Sequence, residues 1–258
     1  MKKPGDHTFS KSRPDAPGGF FAWEAAGLSW LSQAVDAGGV DVVGVRQVDA
    51  TSIVLNRVEL APATRVAAEN FGRALARTHA AGADDFGTGP PGWSGVGYIG
   101  RQQLVVQPFS RWGQFYGELR LLPYARAAVR VGNLDRATLR AVEQLCIVLA
   151  DGGFDDDRPP ARIHGDLWGG NVLYGPGGAV LIDPAAHSGH GLTDLAMLAL
   201  FGTEHFERVA QAYAEAAALP RDWRDLIGLH QLHPVLVHAV SHGPSYGRHA
   251  AELVSNYL

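Results

Sequence analysis

One cysteine stands in the chain, Cys146, so no disulfide can form within it. Its setting, Ala141-Val-Glu-Gln-Leu-Cys-Ile-Val-Leu-Ala150, is apolar at helical spacing and reads as a buried core thiol rather than a nucleophile. No apolar run approaches the roughly 18 residues that cross a bilayer, and Met1 to Asp6 has no apolar segment behind it. Neither a membrane helix nor a secretory leader is expected, and the protein reads as cytoplasmic. Basic charge is not in excess either. A net charge of −4 gives no reason to expect nucleic acid as a partner. Lysine is the scarcest charged residue: among 22 lysines and arginines only Lys2, Lys3 and Lys11 are lysines, the first two in a terminus expected to fray. A chain that uses arginine almost everywhere has kept a compact ammonium at Lys11, and the two cations differ enough in geometry and hydration for that choice to be functional.

Apolar residues at 46% against 19% charged describe a globular protein, and 258 residues suffice for one domain of two lobes or two small domains. The chain is organised around Ile163-His164-Gly165-Asp166-Leu167-Trp168-Gly169-Gly170-Asn171, followed by Leu181-Ile182-Asp183-Pro184. Asp166 and Asn171 lie five residues apart across a Gly-Gly pair, so a tight turn can aim a carboxylate and an amide carbonyl into one cleft. Two short apolar runs then flank Gly175-Pro-Gly-Gly178, a hairpin signal, and the hairpin would return Asp183 to Asn171. Three oxygen donors so placed suit phosphoryl transfer. Asp166 would be the base that orients and deprotonates an acceptor hydroxyl, with Asn171 and Asp183 as magnesium ligands on the phosphates. The spacing His164-x-Asp166-x4-Asn171 is that of the kinase catalytic loop, and Asp183 stands where protein kinases carry Asp-Phe-Gly. A Gly-rich turn with surface carboxylates is the plain alternative. It accounts for Asp166 alone better than for both motifs, in this order, with a hairpin between them.

These residues resemble the fructosamine (ketosamine) kinases, relatives of the aminoglycoside and choline kinases. His164-Gly-Asp-Leu-Trp-Gly-Gly-Asn171 is similar to that family's HGDLWxGN signature, whose Leu-Trp pair separates it from the wider phosphotransferase group. Ile182-Asp-Pro-Ala185, Thr193-Asp-Leu-Ala-Met-Leu198, Leu229-His-Gln-Leu-His-Pro234 and Ser245-Tyr-Gly247 continue the likeness, which runs from about residue 9 to the end. The resemblance implies an α+β, protein-kinase-like two-lobe fold. Residues 1–59 would form a small, N-terminally shortened β-rich lobe, and residues 60–258 a large, mostly helical lobe with the catalytic loop and acceptor site. It also implies ATP with Mg2+ as donor, and a small-molecule or protein-bound ketosamine as acceptor, phosphorylated at the third sugar carbon. Phosphorylation there destabilises the adduct, which would make this a deglycation enzyme.

Thr8 to Lys11 alternates like a strand, and residues 19–36 read as a helix with Phe20, Trp23, Gly27, Leu28, Leu31 and Val35 near one side. Kinase folds hold a strand lysine on the α/β-phosphates with a helix glutamate, and Lys11 and Glu24 are placed to be that pair; a solvated surface glutamate is the alternative. Residues 40–48 and 51–58 read as two strands around Asp49-Ala50. In kinase-like folds the adenine edge bonds to hinge backbone, here Asn56, Arg57, Val58 and Glu59, with Val54 or Leu55 walling the pocket. Residues 64–80 form a predicted helix with Val66, Phe71, Leu75 and His79 on one side, His79 as a satisfied packing residue. Residues 84–100 lack periodicity. Gly95-Val-Gly-Tyr-Ile-Gly100 matches a nucleotide-loop pattern in form, but no strand feeds it and it follows the lysine strand, so a surface insertion beside the acceptor site is expected.

Trp112, Phe115 and Tyr116 read either as an apolar wall for a sugar ring or as core. Residues 134–151 read as an amphipathic helix, and residues 155–160 as a solvated charged linker. Trp168, His187 and His190 are further acceptor-side candidates, although His190-Gly191-Leu192 stands where the family usually carries His-Arg-Glu. Thr193 is a plausible helix N-cap, and Asp194 and His164 are assigned to holding the catalytic loop from behind, as in kinase-like folds. The histidines at 230, 233, 238, 242 and 249 invite a zinc reading, but Pro234 interrupts them and packing is the default. Only ten residues precede Lys11, with one glycine, Gly5, too few for the Gly-rich hairpin that covers kinase phosphates. Two classes of function therefore stand: a Mg-ATP-dependent small-molecule kinase, or a degenerate, non-catalytic kinase-like binding protein. An aminoglycoside or choline-type phosphotransferase shares the catalytic parts, and by resemblance Leu167-Trp168 argues against it.

Overall fold

The computed structural model describes residues 7–258, and the expectations for Lys2, Lys3 and Gly5 lie outside the described residues. In chain order, β1 is Thr8–Ser12, α1 Phe20–Ser32, β2 Asp41–Val42, β3 Val45–Val48 and β4 Ser52–Asn56. β4 is the middle strand of a β1-β4-β3 antiparallel sheet, with Lys11 opposite Ile53. Its alternation sends Ile53 and Leu55 into a small core with Phe21, Leu28 and Val43. α1 is apolar on most sides because it is covered on most sides, by this sheet, by β2 and by residues 97–99. The strand expected over residues 40–48 is two strands. It breaks at Gly44, and β2 leaves the first sheet to pair in parallel with a strand near residue 180.

α2 is Arg65–Ala80, and the hydroxyl of Thr64 caps it by accepting from the Ala67 N–H at 3.1 Å. Its buried side runs through Ala68, Phe71, Leu75 and His79, while Val66 is 66% exposed and belongs to the opposite face. β5 (Gly97–Ile99) and β6 (Gln102–Leu104) form a hairpin. Here the surface-insertion expectation is corrected: Tyr98 and Ile99 are buried, and the Trp23 indole donates to the Tyr98 carbonyl at 2.9 Å, fastening the hairpin to α1. α3 (Trp112–Phe115) continues through a π-helical turn, Tyr116–Leu121, into α4 (Leu122–Arg130), and α5 follows at Arg136–Ala150. Cys146 lies in α5, and burial pushes its thiol up to about 12, which keeps it unreactive.

β7 (Ala161–Ile163) leads into the central loop, β8 (Val172–Gly175) and β9 (Gly178–Leu181) form the expected hairpin, and β10 (His187–Gly189) folds back on β7. β9 is the strand that β2 joins. Four helices complete the chain: α6 Leu192–Phe201, α7 Phe206–Ala216, α8 Ile227–His242 and α9 Pro244–Ser255. α2 and α7 approach closely at Gly72, where a Cβ would stand 2.3 Å from the Val209 carbonyl oxygen.

Trp112 and Tyr116 are core, which corrects their reading as a sugar-binding wall. Trp112 stacks on Tyr116 and on His230 at centroid distances of 4.9 and 4.8 Å, and both residues are buried. The Tyr116 hydroxyl repairs α8 around Pro234. Proline cannot donate to the His230 carbonyl one turn back; the Tyr116 OH lies 2.9 Å from the Leu229 carbonyl and 3.1 Å from that of His230, and accepts from the His233 N–H at 3.2 Å. α8 therefore runs through Pro234 without a break. Replacing Tyr116 by Phe keeps the stack but leaves these buried groups unpaired, with an expected loss of about 1–3 kcal/mol in urea unfolding. A midpoint indistinguishable from wild type would show that the hydroxyl is not what mends the helix.

Candidate active site

The central loop is held from behind by a buried carboxylate. Asp194, in the first turn of α6, accepts the His164 N–H at 2.8 Å through Oδ2 and the Gly165 N–H at 2.9 Å through Oδ1. His79 donates to the same Oδ2 at 3.0 Å while accepting from the Tyr213 hydroxyl at 2.7 Å. Burial works to raise the Asp194 pKa, but these bonds outweigh it and hold the carboxyl below its usual value. Gly165 is at φ +78, and a Cβ there would lie 2.3 Å from the Ala185 carbonyl oxygen, so the turn admits only glycine.

His164 joins the two motifs. Its Nδ1 accepts from the Asp166 N–H at 3.2 Å and its Nε2 donates to the Ile182 carbonyl at 2.8 Å, so one imidazole fixes the backbone of both. The hairpin register, Val172 opposite Leu181, then sets Asn171 beside Ile182. The Asn171 amide donates to the Asp166 carbonyl at 2.7 Å and reaches its carboxylate at 3.3 Å and the Asp183 carbonyl at 3.5 Å. The three oxygen-bearing residues therefore converge. Across the cleft the Lys11 ammonium lies 2.5 Å from Glu24 and 2.7 Å from Asp183. Burial raises the Glu24 carboxyl and Lys11 partly offsets it.

Two cavities meet at Asp166. One of about 290 Å³ is lined by Lys11, Phe20, Glu24, Tyr98 and Asp183; the other, of about 650 Å³, by Arg101, Trp168, Phe201, His238, His242 and Tyr246. Asp166 lines both, and Gly100 at the β5–β6 turn reaches both as well. Burial pushes the Asp166 carboxyl up to about 6; the Asn171 bond opposes, and Asp183 and Asp194 add to the rise. A carboxylate poised near neutral pH between two cavities can take a proton from a group in one while a phosphoryl group lies in the other.

The remaining predicted residues divide. Trp168, 44% exposed, lines the larger cavity. His187 and His190 do not, because β10 turns inward beneath the loop. His187 donates to the Ala185 carbonyl at 2.8 Å and accepts from Arg120, and burial together with Arg120 pushes its pKa down to about 3. His190 is bound to Asp156 at 3.1 Å, which also corrects the fully solvated reading of the 155–160 linker. Thr193 bonds His230 at 3.0 Å inside α6 rather than capping it. None of Asn56, Arg57, Val58 or Glu59 lines either cavity, and the N–H groups of Asn56 and Arg57 are committed to the carbonyls of Gly44 and His7. Arg101, Phe201, His238, His242 and Tyr246 line the larger cavity without having been expected there from the sequence. The available signal was the i,i+4 spacing of His238 and His242, which stack at 4.8 Å, and the following Ser245-Tyr246-Gly247. Among the described residues no three His, Cys, Asp or Glu side chains converge on a metal site. One carboxylate and one amide, Asp183 and Asn171, are hard oxygen donors of the kind that would suit magnesium.

A model of the fructosamine kinase family matches residues 1–258. The chain is 30% identical over 237 residues to a probable ketoamine kinase of Thermus thermophilus, covering 92% of this chain and 82% of that one. A Thermobifida fusca crystal structure whose name proposes a fructosamine-3-kinase superposes with a TM-score of 0.88 at 43% identity, over 97% of this chain and 85% of that one. An aminoglycoside phosphotransferase solved with AMP-PNP and hygromycin B superposes at 0.55 with 17% identity, over 99% of this chain and 92% of that one, and shares the fold.

The raised Asp166 pKa makes a stability prediction independent of catalysis. A carboxyl that binds its proton more tightly folded than unfolded favours the fold below its ordinary value of 3.8, and that contribution is lost as pH rises to about 6. Asp166→Asn removes the buried charge, so it should stabilise the protein by about 1–3 kcal/mol at pH 8 and by little at pH 4, read from urea unfolding. An equal effect at both pH values would show that Asp166 is not perturbed.

Proposed function

Because this chain belongs to the fructosamine kinase family, a family of phosphotransferases, we propose that it transfers the γ-phosphoryl group of ATP to a sugar hydroxyl of a ketosamine. The observation that carries this reading is Asp166, facing one cavity with Lys11 and Asp183 and another lined by aromatic side chains.

Asp166 is the base: it orients the acceptor hydroxyl and takes its proton as the oxygen attacks phosphorus. Lys11, kept in place by Glu24, binds the α/β-phosphates as a point charge. Asn171 and Asp183 are the residues that would hold Mg2+, which when bound neutralises charge on the phosphates. Of the hinge expected to meet the adenine edge, only the backbone of Val58 and Glu59 is left to do so, because the Asn56 and Arg57 N–H groups are paired, and that contact would lie outside the lining of the smaller cavity. His164 and Asp194 move no proton; they hold the loop that aims Asp166. Trp168, with Phe201 and Tyr246, gives the sugar a face to stack on. Phosphorylation of the sugar destabilises its bond to the amine, so the reading extends to deglycation, in the cytoplasm where ATP is supplied.

Asp166→Ala should lower phosphate transfer to fructose-lysine by at least about 10²-fold with an unchanged circular dichroism spectrum. Wild-type kcat/KM should climb with pH and level off above about 6, as the base loses its proton. Wild-type product levels from the variant would remove Asp166 from the role.

A further inference from the structure

The larger cavity carries a charge that phosphoryl transfer does not use. Two formally charged side chains line it, Asp166 and Arg101. Asp166 is engaged by the base's task and by Asn171. Arg101 follows Gly100 at the tip of the β5–β6 turn, is exposed, and its guanidinium has no hydrogen bond, ion pair or ring contact among the described residues. Gly100, at φ +54, brings that tip to the edge of both cavities. The rest of the lining includes the aromatic faces of Trp168, Phe201 and Tyr246 and the imidazoles of His238 and His242, His238 donating to the Pro234 carbonyl at 2.8 Å with its pKa lowered by burial.

That pattern matches a zwitterion. A ketosamine nitrogen is a secondary ammonium, which aromatic faces accept without a carboxylate partner. A guanidinium fork beside them suits a carboxylate, which it binds through two parallel N–H donors. A volume of about 650 Å³ is in the range that encloses a whole small molecule rather than one protruding side chain. We propose that Arg101 recognises a carboxylate on the acceptor, so that the cavity favours ketosamines of free amino acids over those whose carboxyl is locked in a peptide bond. The inference rests on the ketosamine reading of this cavity.

The test is a matched pair, fructosyl-glycine and fructosyl-glycinamide, which differ in the carboxylate alone. For wild type the carboxylate should be preferred in kcat/KM by about fivefold or more, and Arg101→Gln should bring the ratio to within about twofold of one. Titration calorimetry of both compounds against both proteins, with ADP and magnesium present, separates this proposal from the kinase reading. Binding that favours the carboxylate and depends on Arg101 supports the proposal even if neither compound is phosphorylated, an outcome that would instead defeat the assigned activity. Turnover of both compounds without preference overturns the proposal and leaves the activity standing. A wild-type preference that survives Arg101→Gln, or no binding of either compound, also overturns it.

Discussion

The site depends on one buried carboxylate taking two backbone N–H groups. Asp194 is almost fully enclosed, and a charge in that position is tolerable only if its oxygens are saturated with donors. The donors are the N–H groups of His164 and Gly165 with the imidazole of His79, so saturating the charge and fixing the loop are the same event. Everything downstream follows in series. A fixed loop sets the Asp166 backbone, His164 carries the setting across to Ile182, and the β8–β9 register delivers Asn171 and Asp183 to the same place.

This arrangement divides labour between rigid and adjustable parts. The loop, hairpin and α6 are tied by short backbone bonds among buried groups, which suits residues that must hold atomic positions. Lys11, by contrast, reaches the cleft on a flexible stem from a strand at the edge of the first sheet, and meets Glu24 and Asp183 there. Asp166 lies on the boundary of the two cavities, the smaller holding the Lys11, Glu24 and Asp183 charges and the larger Arg101 among Trp168, Phe201 and Tyr246.

How much of this could be read in advance depended on whether the information was local. The catalytic loop, the hairpin and the Lys11–Glu24 pairing rest on spacing and turn chemistry, and the observed geometry brings those residues together. Trp112 and Tyr116 show the limit. Aromatics at helical spacing look alike whether they face a ligand or a neighbouring helix, and only the position of Pro234, more than a hundred residues away, decides that Tyr116 serves α8. The same holds for β2. Residues 40–48 are continuous as sequence, but their division between two sheets is settled by a strand near residue 180. His238 and His242 line the larger cavity because α8 passes unbroken through Pro234, whereas a proline in sequence reads as a stop. Analogy with kinase folds puts the hinge at residues 56–59, and two of its four N–H groups belong to strand pairing.

Asp183 has a left-handed backbone, φ +55, a region that glycine, asparagine and aspartate enter with least penalty. The magnesium role proposed for its side chain and the turn made by its main chain therefore narrow the same position for unrelated reasons. A lineage that abandoned catalysis would find asparagine or glycine the easiest exits there, because both keep the turn while removing the carboxylate. Any other replacement would disturb architecture as well as chemistry, so silent descendants of this enzyme should still betray their ancestry at that one residue.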